Sequence, residues 1–231
     1  MASRLLISSL LLAALLHQTA QAEKLYVFVP TDIRATVLQE KIQQACPALE
    51  VTVFGRSGDF RRQLKSDPPS AIIAPAPVVE RVDGFNPAAI GIKDGKNTEA
   101  YRFLSMGNPL DINNLKNLTI GVVDILGRNG SSELLEEMLG EKVKVKRVIK
   151  KEDLLPLMMF GSADAVFVSL SDLNNIKSNS QAKLAVTPLN VQMRLTTVGL
   201  KQSLDDGAYI ECIGRFNAEL NRILGVEEWK K

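Results

Sequence analysis

The sequence predicts an α/β fold made of two similar halves. Short apolar runs alternate with stretches of helical periodicity from Leu25 onward, which is typical of α/β proteins. The order strand, helix, strand, helix, strand is completed once by Ala74 and begins again at Leu118. No low-complexity linker lies between the halves, so we expect two closely joined lobes rather than two independent domains.

The first half contains three predicted strands and two predicted helices. Its first apolar run, LYVFV, predicts a buried strand, and apolar residues at helical spacing follow from Ile33. In order, the predicted elements are a strand at 25–29, a helix at 33–45, a strand at 51–54, a helix at 59–65 and a strand at 71–74.

The second half repeats this order. Ser131 is a suitable helix cap with glutamates in the turn that follows, and alternating lysines and valines after residue 142 predict a half-buried strand. In order, the predicted elements are a strand at 118–123, a loop at 124–130, a helix at 131–139, a strand at 142–148, a helix at 151–160 and a strand at 165–168.

The remaining segments predict how the halves are connected. Strand-like segments at 90–93, 101–104, 183–186 and 195–198 lie where the chain would cross between lobes. Apolar spacing predicts one long helix over about 204–224 that packs back on the first lobe. We therefore expect residues 23–104 plus 195–231 to form lobe 1, and residues 105–194 to form lobe 2.

The amino terminus has the three parts of a secretory signal peptide, at residues 1–22. Arg4 supplies the positive start, residues 5–16 are apolar, and Ala20-Gln21-Ala22 is a small-residue cleavage site. The apolar run is shorter than the roughly 20 residues of a membrane-spanning helix, although an uncleaved anchor is the alternative. We expect cleavage after Ala22 and export without a lipid tether, because no cysteine follows the cleavage site.

Composition narrows the possible chemistry. The formal net charge is only +2 with both signs interspersed, so nucleic acid and membrane surfaces are not expected partners. The only histidine, His17, lies in the predicted signal peptide, so the mature chain has no Ser-His or Cys-His pair and no histidine-containing zinc site. We expect no catalytic residue, metal or cofactor. Cys46 and Cys212 either form one disulfide in an oxidising compartment or remain buried thiols.

With these segments placed, the chain resembles the periplasmic solute-binding proteins of ATP-driven (ABC-type) importers. The resemblance is to the two-lobed type II class, which includes phosphate- and phosphonate-binding members. It rests on residues 111–139, where a leader with Leu and Lys precedes a glycine-containing strand and a ligand-facing loop. Residues 161–166 (GSADAV) are similar to the family's Gly-x-Ala-Asp-Ala motif before a strand that ends at the cleft.

The resemblance implies a particular architecture and mode of action. Each lobe is expected to be a mainly parallel sheet flanked by helices, and two crossing segments are expected to act as a hinge. A periplasmic monomer of this kind closes on a small-molecule ligand and meets a membrane permease or a membrane sensor protein. Low aromatic content, with Trp229 outside the expected cleft, favours a small, anionic solute over a sugar.

The main candidate ligand site follows the first strand of the second half. Ligands of α/β sheets gather at the carboxyl ends of the strands. The amides, hydroxyls and guanidinium of Arg128, Asn129, Gly130, Ser131 and Ser132 can together hold a phosphate, phosphonate or carboxylate. The alternative is that Ser131 or Asn129 only caps the helix.

Three other hydroxyls follow predicted strands. Thr31, Ser57 and Ser169 stand at positions from which each can bind the ligand, and each equally suits a helix cap or a solvated turn.

Three functions remain open at this point. The first is capture of a small anionic solute for an importer. The second is a periplasmic sensory adaptor of a membrane kinase or cyclase, with a reduced or absent ligand site. The third is an enzyme on this fold, which the histidine-free mature composition disfavours because only carboxylates remain as general bases.

Overall fold

The computed structural model describes residues 23–202 and 206–231. The predicted signal peptide at residues 1–22 lies outside the described residues. Within the described ranges, no helix is both long enough and apolar enough to cross a membrane.

The first part of the chain forms three parallel strands with helices between them. Strand β1 pairs in parallel with both β2 and β3. The elements are β1 (Glu23–Val27), α1 (Ala35–Ala45), β2 (Leu49–Val53), α2 (Ser57–Ser66), β3 (Ala71–Pro75), α3 (Ala76–Val79) and β4 (Phe85–Ile92).

The second part repeats this arrangement, with β6 between β7 and β8 and parallel to both. The elements are β5 (Thr98–Met106), β6 (Thr119–Val123), α4 (Gly127–Leu139), β7 (Lys144–Val148), α5 (Leu154–Met159), β8 (Ala165–Ser169), α6 (Leu170–Ser178) and β9 (Leu184–Arg194). Short 3₁₀ turns at Ile112–Asn117 and Lys151–Asp153 precede β6 and α5.

The last part of the chain returns to the first sheet. It contains β10 (Thr196–Lys201), α7 (Gly207–Gly214), α8 (Ala218–Ile223) and β11 (Glu228–Lys230). The first sheet has the strand order β11-β4-β10-β3-β1-β2, and the second has the order β7-β6-β8-β5-β9. The predicted two-lobed α/β architecture is confirmed, and antiparallel strands extend the parallel part of each sheet, so both sheets are mixed.

Two short segments cross between the lobes. The first is a tight turn at Asp94 and Gly95, whose φ angles of 51° and 70° favour glycine. The second is Leu195, which separates β9 from β10. Its backbone N–H donates to the carbonyl of Asn97 at 2.9 Å, so the two crossings are hydrogen-bonded to each other. This pairing defines a hinge at one side of the molecule.

The expected lobe boundary at residue 104 was wrong. Strand β5 pairs with β8 and β9, which places residues 98–106 in the second sheet. Lobe 1 therefore consists of β1–β4 with β10 to β11, and lobe 2 of β5–β9. The other boundary is close to the prediction, because β9 ends at Arg194. A strand's own pattern of apolar residues does not specify which sheet it joins, and this explains the error.

The expected single helix at the carboxyl terminus was also wrong, since the tail forms α7 and α8 instead. Gly214 ends α7, and the Asn217 side chain accepts the N–H of Leu220 at 2.9 Å as the cap of α8. A disulfide joins α7 to α1, with Cys46 at the end of α1 bonded to Cys212 in α7. The two cysteines are therefore bridged rather than separate thiols.

Candidate functional site

A cavity of about 190 Å³ lies between the two lobes, beside the hinge. An engineered cavity of about 150 Å³ binds benzene, so a solute of roughly that size or slightly larger fits here. Lobe 1 contributes Val29 and Pro30 after β1, Pro75 at the end of β3, and Leu224 after α8. Of these residues, Val29, Pro30 and Pro75 lie at or just after the carboxyl ends of strands, as expected for a ligand site on an α/β sheet.

Lobe 2 contributes most of the apolar wall. Tyr101 and Phe167 stack with ring centroids 4.7 Å apart, and both line the cavity. Burial raises the pKa of the Tyr101 phenol, and the charges of Asp172 and Glu99 raise it further. The phenol therefore stays protonated at neutral pH. Because Tyr101 lines the cavity, its protonated hydroxyl can serve as a hydrogen-bond donor to a bound solute.

Of the residues that the structure describes, five with charged side chains line the cavity, and most of them are already paired. Lys151 contacts Asp172 at 2.8 Å. Arg194 contacts Glu80 of lobe 1 at 2.7 Å, and Glu99 accepts the backbone N–H of Ser171 at 2.8 Å and lies 3.7 Å from Lys93. Arg222, in α8, forms no ion pair within the described part of the chain. The cavity thus has one cation whose charge is not balanced by a neighbouring carboxylate.

The main predicted site is only partly at the cavity. Helix α4 begins at Gly127, so Ser131 lies inside the helix rather than at its cap, and neither it nor Asn129 caps α4. Ser131 is buried and lines the cavity, whereas Arg128 and Asn129 are exposed. Gly130 lies within the first turns of α4, and the Ser132 hydroxyl donates to the carbonyl of Arg128 at 3.2 Å.

The amino terminus of α4 is occupied by a carboxylate of the protein itself. Oδ1 of Asp124 accepts the N–H of Gly127 at 2.6 Å and the hydroxyl of Ser131 at 3.4 Å. Oδ2 of Asp124 pairs with Arg147 at 2.6 Å. Because the Asp124 charge would repel a second anion, phosphate capture at this helix start is disfavoured.

The three other predicted hydroxyls have different surroundings. Ser169 is buried at the end of β8, lines the cavity, and accepts the N–H of Asp172 at 3.1 Å as the cap of α6. Thr31 accepts the N–H of Ile33 at 3.3 Å, and Ser57 is the buried first residue of α2. Neither Thr31 nor Ser57 lines the cavity. Only Ser131 and Ser169 of the predicted residues meet there.

A second recess of about 210 Å³ lies next to the first and contains an acidic group from each lobe. Asp32 of lobe 1 lines it together with Lys151, Glu152 and Asp172 of lobe 2. Burial raises the pKa of Asp32, and the charges of Glu152 and Asp172 raise it further against the opposing effect of Lys151. Carboxylates of both lobes therefore face each other when the lobes are in contact.

Tyr101, Arg194 and Arg222 are cavity residues that sequence patterns did not identify. Tyr101 reaches the cavity because β5 belongs to the second sheet, which the expected boundary at residue 104 missed, and Arg194 reaches it from the end of β9, a strand that was assigned to lobe 2 as expected. Arg222 reaches it because α8 folds back beside the hinge. Asp172 lies three residues after the end of β8, so the tendency of ligands to bind at the carboxyl ends of strands does point to its segment.

The chain has the two-lobed type II periplasmic-binding-protein fold. An amino acid ABC transporter substrate-binding protein from Streptococcus pneumoniae, solved with L-arginine, is 14% identical with a TM-score of 0.57, covering 88% of this chain and 93% of that chain. The VFT2 domain of Bordetella pertussis BvgS is 13% identical with a TM-score of 0.56, covering 88% and 91%.

A Xanthomonas citri protein solved with ATP is 7% identical with a TM-score of 0.63, covering 91% of each chain. No protein family and no curated protein matches the chain by sequence. These similarities establish the fold, while the solute has to be inferred from the cavity itself.

Proposed function

We propose that this chain is a periplasmic solute-binding protein, without enzymatic activity, that captures a small organic anion between its lobes for an ABC-type importer. The observation that carries the proposal is the cavity between the lobes, with largely apolar walls and Arg222 as its unbalanced cation. The signal peptide predicted at residues 1–22 supports the location. Some structural neighbours are substrate-binding proteins of such importers, which supports the role.

The chemistry of the walls favours an organic anion over inorganic phosphate. A phosphate ion has no apolar surface to place against Val29, Pro30 and Phe167. The helix start that would suit phosphate already holds the Asp124 carboxylate. A small carboxylate can place its charge near Arg222 and its apolar part against the stacked rings of Tyr101 and Phe167.

A thermal-shift screen of the mature protein tests this proposal. The panel contains phosphate, phosphonates, sulfate, small carboxylates and amino acids. A solute at 100 times its dissociation constant stabilises the native state by about 2.7 kcal/mol. We expect small carboxylates to raise the melting temperature more than phosphate does. No shift with any carboxylate would contradict the proposed substrate class.

A matched pair of arginine variants locates the site. Arg222→Ala should weaken carboxylate binding by at least roughly tenfold, because it removes the unbalanced cation of the cavity. Arg215 is also exposed and belongs to the same tail, but it pairs with Glu211 and does not line the cavity. Arg215→Ala should leave the affinity unchanged. Equal effects of both substitutions would exclude Arg222 as the anion-binding residue.

A periplasmic sensory adaptor is the second candidate. The observation that favours it is the helix start occupied by Asp124, which leaves a small ligand site. One structural neighbour is the VFT2 domain of BvgS, so a domain with this fold also occurs outside the importer-binding proteins. If no solute in the panel shifts the melting temperature, co-purification with a membrane kinase or cyclase becomes the decisive measurement, and co-purification with a permease would exclude the adaptor.

A further inference from the structure

The lobes also contact each other away from the cavity, through Leu126. This residue is only 8% exposed and packs in an apolar cluster whose other buried members all belong to lobe 1. Those members are Tyr26, Phe28, Phe60, Ile72, Ala74, Val78 and Val79. Two neighbours in lobe 2, Ile125 and Leu134, pack against the same cluster. We call this packing the Leu126 contact.

Polar groups beside Leu126 support the same contact. The guanidinium of Arg61, in α2 of lobe 1, donates from Nη1 to the carbonyl of Leu126 at 2.9 Å. Gly127 permits this approach, because a Cβ at this position would lie 2.2 Å from Nη2 of Arg61. Arg81 of lobe 1 also pairs with Glu137 of α4.

These interactions differ in how much they contribute to closure. The Arg81–Glu137 pair is largely exposed on its Glu137 side, and such pairs contribute little to stability. The packing of Leu126, by contrast, buries nearly its whole side chain away from water. Opening the lobes would expose this side chain together with part of the cluster around Phe28 and Phe60. The apolar packing of Leu126 is therefore the main interaction that favours the closed arrangement.

We propose that the Leu126 contact holds the lobes closed in the absence of any solute. In a hinged binding protein that relies on its ligand, the ligand supplies the free-energy difference between open and closed forms. In this protein, the Leu126 side chain of lobe 2 supplies that free-energy difference, because it completes the apolar core of lobe 1. This inference does not depend on the identity or the existence of a captured solute.

Electron–electron distance measurements between two spin labels test the inference on the solute-free protein. Lys65 at the end of α2 and Glu133 in α4 are exposed, lie in different lobes, and can each be replaced by cysteine for labelling. The native cysteines are buried and bonded to each other, so they do not take the label. We expect one narrow, short distance in the absence of solute. A broad or long distribution would overturn the proposal.

Substitutions then identify the side chain responsible. Leu126→Ala should raise the open-to-closed ratio by at least roughly tenfold and lengthen the mean distance. Leu135→Ala is the control, because Leu135 is a buried leucine of α4, the helix that Leu126 immediately precedes, but it packs within lobe 2. It should lower the melting temperature without changing the distance. Opening by Leu135→Ala, or no opening by Leu126→Ala, would contradict the assignment.

A third variant remains informative if Leu126→Ala folds poorly. Arg61 is an exposed residue, and Arg61→Ala removes its hydrogen bonds, including the one to the Leu126 carbonyl, without changing the buried apolar cluster itself. We expect a partial opening, with the open-to-closed ratio raised roughly three- to tenfold. An unchanged distance distribution in Arg61→Ala would contradict the claim that the hydrogen bond from Arg61 to the Leu126 carbonyl supports the closed arrangement.

Discussion

Asp124 determines where α4 begins and what its amino terminus can bind. Its carboxylate accepts hydrogen bonds from Gly127 and Ser131 and forms an ion pair with Arg147 of β7. The side chain is only 16% exposed, so these partners replace most of its hydration. One residue thus links the start of α4 to the edge strand of lobe 2.

We predict that Asp124→Ala lowers the free energy of unfolding by about 2 kcal/mol, because the Gly127 amide loses its acceptor and Arg147 loses its counter-charge. Asp124→Asn keeps an oxygen for the amide and loses only the ion pair, so its loss should be smaller. Urea unfolding followed by circular dichroism measures both. Equal losses in the two variants would indicate that the ion pair, rather than the helix start, carries the effect.

The raised pKa of Asp32 predicts how the stability of the protein changes with pH. A carboxyl whose pKa is raised on folding binds protons more tightly in the folded protein. Its charge therefore destabilises the folded state at neutral pH, and this destabilisation is relieved as the pH falls towards the ordinary carboxyl range. Asp32→Asn removes the charge at every pH.

The expected effect of Asp32→Asn is a small rise in melting temperature at pH 7, on the order of 1 °C, because water screens this partly exposed carboxyl. The difference from the native protein should disappear below about pH 4. Asp83→Asn, on the exposed surface of lobe 1, is the control and should show neither effect. A fall in melting temperature at pH 7 would contradict this prediction, because it would show that the surroundings of Asp32 stabilise its charged form.

At the scale of elements, strands were more predictable than helix boundaries. The apolar runs that became β1, β3, β6 and β8 are buried in their sheets, and burial on both faces produces a recognisable sequence. The start of α4 depends on Asp124 and its partner Arg147, which lies on another strand. The break between α7 and α8 does have a local signal at Asn217, but apolar spacing continues across it and conceals it.

The candidate site was less predictable than the fold, for a similar reason. Ser131 and Ser169 could be found because each follows a strand of its own lobe. Arg222 belongs to α8 and Arg194 to the end of β9, and both reach the cavity only through the packing of the two lobes around the hinge. No local pattern contains that information.

We predict that the disulfide contributes strongly to the stability of lobe 1. It joins α1 to α7 across a sequence separation of 166 residues. In the chain-entropy model, closing a loop of this length stabilises the protein by about 5 kcal/mol. The double variant Cys46→Ala/Cys212→Ala should lose about this much in urea unfolding. Dithiothreitol should destabilise the native protein and leave the double variant unaffected. Insensitivity of the native protein under conditions that expose the bond would contradict this role.

At the scale of the whole molecule, the lobes are joined by the backbone, by polar contacts and by apolar packing. The backbone crosses twice at the hinge, ion pairs such as Glu80–Arg194 span the gap, and Leu126 inserts into the core of lobe 1. The backbone crossings keep the lobes adjacent in the open form as well. Of the remaining two, apolar packing is the stronger, because exposed ion pairs contribute little. The stability of each lobe is therefore coupled to the other mainly through Leu126.

This coupling predicts a single heat-unfolding transition for the solute-free protein, with the calorimetric and van't Hoff enthalpies equal. Leu126→Ala should divide it into two, because lobe 2 then unfolds without disrupting the apolar cluster that contains Phe28 and Phe60. Leu135→Ala, which weakens the core of lobe 2 alone, should lower the melting temperature and retain one transition as long as the lobes stay coupled. Two transitions in the native protein would mean that the lobes are thermodynamically independent despite their packing.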